Sequence, residues 1–266
     1  MVLTATVLHK LNNKNIKRIG FYLILFLIWQ IVYFLTVDFF KIWKFYMFPS
    51  PSGVIESLVV MVQDGTLAVA VFASLKRITA GYFIALIAGG IIGLILTKIK
   101  SADIGVNGLI LGFQTLPSIC WLPFAILWFG LSEAAIIFII VIGSIFSIAI
   151  SVESGINNIN PVYIRAGKNM GAKGFSLFRY IILPAAMPAV ISGMKQGWSF
   201  AWRGVIAGEM LSASIGLGQI LMMGRELADI NQVAAVMLII ILIGVFIEKQ
   251  IFGKIEKNIK RVRGVQ

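Results

Sequence analysis

The sequence predicts an all-α integral membrane protein with six transmembrane helices, and three observations carry that prediction. Of 266 residues, 59% are hydrophobic and only 13% are charged, where a soluble domain carries about 25% charged residues. The mean hydropathy is +0.95. Uncharged apolar runs recur along the chain at the length a membrane helix needs, about 20 residues for a hydrocarbon core about 30 Å thick. The charge is lopsided, with 23 Lys and Arg against 11 Asp and Glu, for a net +12. Such an excess fits either nucleic-acid binding or cationic cytoplasmic loops, and the hydropathy selects the second. The single Cys120 excludes an internal disulfide, and the single His9 excludes multi-histidine zinc chemistry.

The spans are read at 19–37, 78–97, 106–129, 134–152, 185–210 and 230–247. The first is longer than the apolar core of a signal peptide and no A-x-A site follows it, so it is read as a retained anchor. Between it and the second lies a long outer connection, 38–77. Within it Ser50 can cap a short surface helix that has Pro51 at its first position and ends near Asp64-Gly65. The third span is interrupted by Pro117 and Pro123, which are expected to kink it. The fifth contains Lys195, Arg203 and Glu209, and its small residues (Ser192, Gly193, Gly197, Gly204, Gly208) suit close helix packing.

Cation counting sets the orientation. With the N-terminus inside, the inner segments 1–18, 98–103, 153–179 and 248–266 hold 16 Lys and Arg, and the outer segments hold 5. That bias predicts cytoplasmic termini, with 1–18 and 248–266 as basic cytoplasmic segments. The Gly216-Leu217-Gly218 stretch is not a phosphate loop, because it lacks a preceding strand and a GK[ST] sequence. Any P-loop ATP hydrolysis therefore belongs to another chain.

The inner stretch 153–184 carries the most information. Asn160 can cap a helix with Pro161 at its first position, Val162 to Met170 continue it, and Gly171 can end it in a left-handed conformation. Arg165, Lys168, Lys173 and Arg179 keep the stretch out of lipid. On these grounds alone it is either a knob for a partner's groove or a plain inner loop with a surface helix.

Here the sequence resembles a known family. Arg165-Ala166-Gly167, three residues, Gly171, nine residues, Ile181, one residue, then Leu183-Pro184 is similar to the EAA motif (EAA-x3-G-x9-I-x-L-P) of the inner-membrane permeases of bacterial ABC importers. FPSPSGVIESL, ASLKRITAGYFIAL, LPSICWLPFAILWFGLSE and AWRGVIAGEMLSASIGLGQI, in order over about 45–255, look like the branch for sulfonates, taurine and nitrate. The resemblance implies a type I ABC importer permease fold in a bacterial inner membrane. It implies a second permease chain (a homodimer), two ATP-binding subunits and an extracytoplasmic solute-binding protein. It implies no covalent chemistry and no cofactor on this chain, with ATP and Mg used by the partner ATPase. Tyr163, Arg165, Ala166, Gly167, Lys168, Gly171, Ala172, Leu183 and Pro184 become the ATPase-coupling residues. One departure stands out: the family's leading Glu is Arg165 here.

Intramembrane charges are the other candidates. Arg203 and Glu209 are six residues apart and do not share a helical face, whereas Lys195 and Arg203 share a broad one. Two readings stay open: this face lines the pathway and attracts an anion, or Lys195 snorkels to an interface while Arg203 caps carbonyls of a neighbour. Glu209 fits a gate contact or a packing residue. A stand-alone secondary transporter or channel is the competing class. It predicts inverted repeats and no docking helix.

Overall fold

The computed structural model describes residues 2–99, 105–212 and 214–262. The inner connection read at 98–103 lies largely outside these residues, as do Ala213 and the end of the basic tail. The described residues are helical, without a strand. Among the described residues, five helices are long and apolar enough to cross a membrane, and six if the bent pair is one span. The chain is therefore a multi-pass, all-α protein. It divides into two units, one formed by 1–65 with 221–238 and the other by 66–220 with 239–266.

In the first unit, α1 (Val2–Tyr33) runs into a π-helical turn, Phe34–Phe39. Ser50 caps α2 (Pro51–Gln63) as expected, its hydroxyl accepting from the Gly53 N–H at 3.0 Å, with Pro51 opening the helix. The Ser50 N–H donates to Asn231 Oδ1 at 2.9 Å and the Trp29 indole to the Pro49 carbonyl at 3.0 Å. The start of α2 is thus tied to the same unit's 221–238 segment.

The second unit is built on α3 (Thr66–Leu96), α6 (Glu133–Asn157) and α9 (Leu183–Leu211), with α6 packed against both of the others. In lipid, apolar surface alone gives helices no reason to associate, so close backbone contact and interhelical hydrogen bonds take over. The sequence supplies both. Gly81, Ala85, Gly89 and Gly93 recur every fourth residue on α3 and are buried, and α6 backbone lies directly on that stripe. A Cβ at Gly93 would stand 2.6 Å from the Ala149 carbonyl oxygen. On α9, Gly193, Gly197 and Ala201 form the matching stripe, also buried. The Ser144 hydroxyl donates across to the Gly197 carbonyl at 2.9 Å, and the Tyr82 hydroxyl joins α3 to the Met194 carbonyl at 2.6 Å.

Two alanine substitutions test this packing by sign. Gly93→Ala should lower stability by about 1–3 kcal/mol, because α6 backbone must yield. Gly90→Ala, where a Cβ meets nothing within 4 Å, should raise it by about 0.5–1 kcal/mol through helix propensity. Thermal unfolding in detergent reads both, and equal effects would dismiss the stripe.

Two elements differ from the sequence reading. The helix holding the second span begins at Thr66 rather than near Ile78, so Lys76 and Arg77, counted with the outer connection, lie inside it. The third span is broken rather than kinked. Helix α4 (Val106–Thr115) ends at Leu116, and a 3-10 turn, Ser118–Trp121, leads into α5 (Leu122–Phe129). The two arms are bent by 95°. Leu116 and Pro117 are both extended (ψ 122° and 132°), as the residue before a proline prefers. Pro123 opens α5, where its missing N–H is harmless.

Candidate translocation and coupling sites

The break opens a cavity of about 350 Å3 lined by Gln114, Thr115, Pro117, Ser118, Phe200 and Arg203, among others. Gly143 of α6 lies opposite Ser118, and Phe113 of the wall stacks on Phe146 at 5.5 Å. Arg203 is exposed while its neighbours Ala201, Trp202, Gly204 and Val205 are buried. Its guanidinium carbon sits 5.6 Å from the Phe200 ring centroid. Among the described residues no carboxylate pairs with it.

The other two charges of α9 are paired. Lys195 Nζ lies 2.8 Å from Glu248 Oε1, both half-exposed. Glu248 opens a π-helical turn, Glu248–Phe252, that joins α11 (Ile230–Ile247) to α12 (Gly253–Val262). Lys195 does not line the Arg203 cavity.

Glu209 is fully buried. Arg77 Nη1 donates to Glu209 Oε1 at 2.8 Å and to the Ile215 carbonyl at 2.6 Å, and the Ser74 hydroxyl reaches the carboxylate at 2.7 Å. The Gly218 N–H donates to Glu209 Oε2 at 3.1 Å, and the Leu217 N–H to the Ser74 hydroxyl at 2.9 Å. This network fixes the 214–218 turn onto α3 and α9, and Arg77 Nη2 extends it to the exposed Glu133 at 3.0 Å. Sequence reasoning missed Arg77. The available signal was periodicity, since the buried positions of α3 continue from Gly81 back through Arg77 and Ser74 to Ala70.

The inner segment has the predicted capping chemistry. Asn160 Oδ1 accepts from the Val162 N–H at 3.0 Å, and Pro161 opens α7 (Pro161–Asn169). Gly171 adopts φ +88°. Its N–H donates to the Lys168 carbonyl, and the Ala172 N–H to the Gly167 carbonyl, both at 3.0 Å. That pair of bonds is a Schellman motif, which satisfies carbonyls left over at a helix end. The chain re-enters helix at α8 (Gly174–Leu177) and passes through a π-helical turn, Phe178–Ile182, into α9. Leu183 and Pro184 lie in the first turn of α9. Gly167 is buried against Ile181 and Leu177. Tyr163, Ala166, Gly167 and Pro184 share the wall of a cavity of about 640 Å3. Arg165 and Lys168 are exposed, and Ala172 is half-buried in the turn. Among the described residues, no three His, Cys, Asp or Glu side chains converge as a metal site would need.

A multi-pass helical protein with a bent apolar helix pair, a cation-lined cavity and a capped, cation-rich helix has the features of a membrane permease. The chain belongs to the family of binding-protein-dependent transport system inner membrane components, whose model matches residues 81–252. It is 33% identical over 177 residues to a putative ABC transporter permease protein of Methanocaldococcus jannaschii, covering 66% of each chain. It is 27% identical over 205 residues to the taurine transport system permease protein of Escherichia coli, covering 75% of this chain and 74% of that one. It is 30% identical over 146 residues to the nitrate import permease protein of Leptolyngbya laminosa, covering 55% and 52%. Among solved structures, the fold is similar to the MetNI methionine ABC transporter in inward-facing conformations, with a TM-score of 0.60, 22% identity, and 73% of this chain and 96% of that chain covered. The fold is thus that of a type I ABC importer permease, and the chain is a transport subunit. Membership implies an ATPase, a solute-binding protein and a permease pair as partners. A stand-alone transporter or channel is not favoured.

Proposed function

We propose that this permease passes a small anion, such as a sulfonate, taurine or nitrate, and that Arg203 lies on its pathway. One contrast carries the reading. Of three ionisable residues in α9, Lys195 and Glu209 have opposite charges beside them, while Arg203 faces a cavity at a broken span. A guanidinium at such a depth calls for an anion, and the relatives named for taurine and nitrate transport solutes that carry one. Lys195 stands nearer the inner mouth in this reading, and Glu209 braces the outer end rather than touching solute.

The segment from Tyr163 to Ala172, with Leu183 and Pro184 at the head of α9, is the lever on which the ATPase acts. ATP and Mg are used by that partner, two copies of this chain pair, and a separate extracytoplasmic protein delivers solute. The basic N-terminal and C-terminal segments lie on the cytoplasmic side, which the cation bias supports.

Uptake by proteoliposomes tests the anion reading. Arg203→Gln should lower transport at limiting solute by roughly ten- to a hundredfold, the value of a charge-assisted hydrogen bond, and Arg203→Lys should recover part of it. Undiminished uptake by Arg203→Gln would end the proposal.

A further inference from the structure

The segment 161–184 presents one sign of charge. Arg165, Lys168, Lys173 and Arg179 are all exposed, and among the described residues none makes an ion pair. No Asp or Glu occurs between Glu153 and Glu209, so the segment has no acid of its own to neutralise them. Arg165 and Lys168 stand three residues apart on α7, a like-charge spacing that weakens a helix. Large apolar side chains are exposed among the cations: Tyr163 at 61%, Met170 at 87%, Phe175 at 78% and Tyr180 at 72%. The Asn160 cap and the Schellman turn hold this surface in a fixed shape.

We infer that the ATPase surface seated on this segment is acidic, with carboxylates facing Arg165 and Lys168 around an apolar centre. The inference rests on the docking reading above and adds to it the sign of the partner's charge. An anionic lipid surface also attracts cations, but it has no use for the recess of about 640 Å3 between α7 and Tyr180, which suits an inserted side chain. Electrostatic complementarity of this kind sets partner choice and speeds encounter. With Arg165 in its centre, the segment selects against an ATPase whose cleft is basic at that point.

The test uses the full permease in nanodiscs of uncharged phosphatidylcholine and the ATPase subunit that co-purifies with it. Their affinity should fall as NaCl rises, because opposite charges are screened. Arg165→Glu should weaken binding roughly tenfold or more at low salt and flatten the salt dependence, with Arg165→Gln between the two. Arg165 is exposed, so thermal unfolding of both variants should match the parent. Equal or tighter binding by Arg165→Glu, or salt-independent binding by the parent, overturns the inference. So does an affinity unchanged by Arg165→Glu in phosphatidylcholine but altered when anionic phosphatidylglycerol is added, which would assign the charge to the membrane. The docking reading fails separately, if Tyr163→Ala leaves both affinity and coupled ATP hydrolysis intact. Loss with Tyr163→Ala but not with Arg165→Glu removes only the charge assignment.

Discussion

Glu209→Ala should destabilise the permease by about 3–5 kcal/mol, the cost of leaving a buried charge without its partner. Arg77 and Glu209 have side chains that are 6% and 0% exposed. Without the carboxylate, Arg77 keeps the Ile215 carbonyl and Glu133, and Glu133 is 61% exposed, where an ion pair contributes little. The Gly218 N–H loses its acceptor as well, and the 214–218 turn loses its anchor. Glu209→Gln preserves shape and an acceptor oxygen and should cost less. The double variant Arg77→Met with Glu209→Leu removes both charges and should recover much of the loss, since a buried pair can often be replaced by apolar residues. Thermal unfolding of the detergent-solubilised protein measures all three. An unchanged Tm for Glu209→Ala would mean that the carboxylate does not hold the turn.

The second large effect is expected on function rather than stability. Gly171 has φ +88°, and nothing lies within 4 Å of the place a Cβ would take. Glycine is required there by backbone conformation and not by crowding. Gly171→Leu meets a left-handed penalty of about 1–2 kcal/mol. The chain can relieve it by abandoning the two bonds that close α7, which changes the angle at which α7 meets α8. The variant should insert normally and hydrolyse ATP in complex with its partner, but the ratio of solute moved to ATP consumed should fall by roughly tenfold or more, as for a misplaced positioning element. Gly171→Asn should retain most coupling, because asparagine tolerates the left-handed region. Full coupling in Gly171→Leu would show that the turn does not transmit force.

Local signals were the ones a sequence could carry. The caps at Ser50 and Asn160, and the glycine stop at Gly171, depend on a few neighbouring residues, and all three stand as read. Hydropathy located α6 and α11 because their spans hold no charge. It misplaced the start of α3 because a run that stops at the first cation cannot tell a solvated Arg from one neutralised inside the protein. Arg77 meets its counter-charge 132 residues later, a distance no motif spans. The same blindness affected the charges of α9. Turn geometry tests Arg203 and Glu209 against each other and rejects the pair; Glu209 finds its partner on α3, and among the described residues Arg203 has no carboxylate partner. The break at Pro117 was underestimated because a proline removes one donor in any helix, while a 95° bend also needs the 3-10 turn that follows it.

That break has a dielectric consequence. The backbone at Leu116 and Pro117 leaves the helical ladder partway along a span, and hydrocarbon cannot satisfy the polar groups thereby freed. Water or protein must reach them. On the proposed pathway, an anion at Arg203 would exchange part of its hydration for peptide dipoles and a fixed positive charge. That proposed route makes the interrupted helix the place where the self-energy of an anionic cargo would be lowered, leaving ATP-driven motion to move the barriers on either side of it.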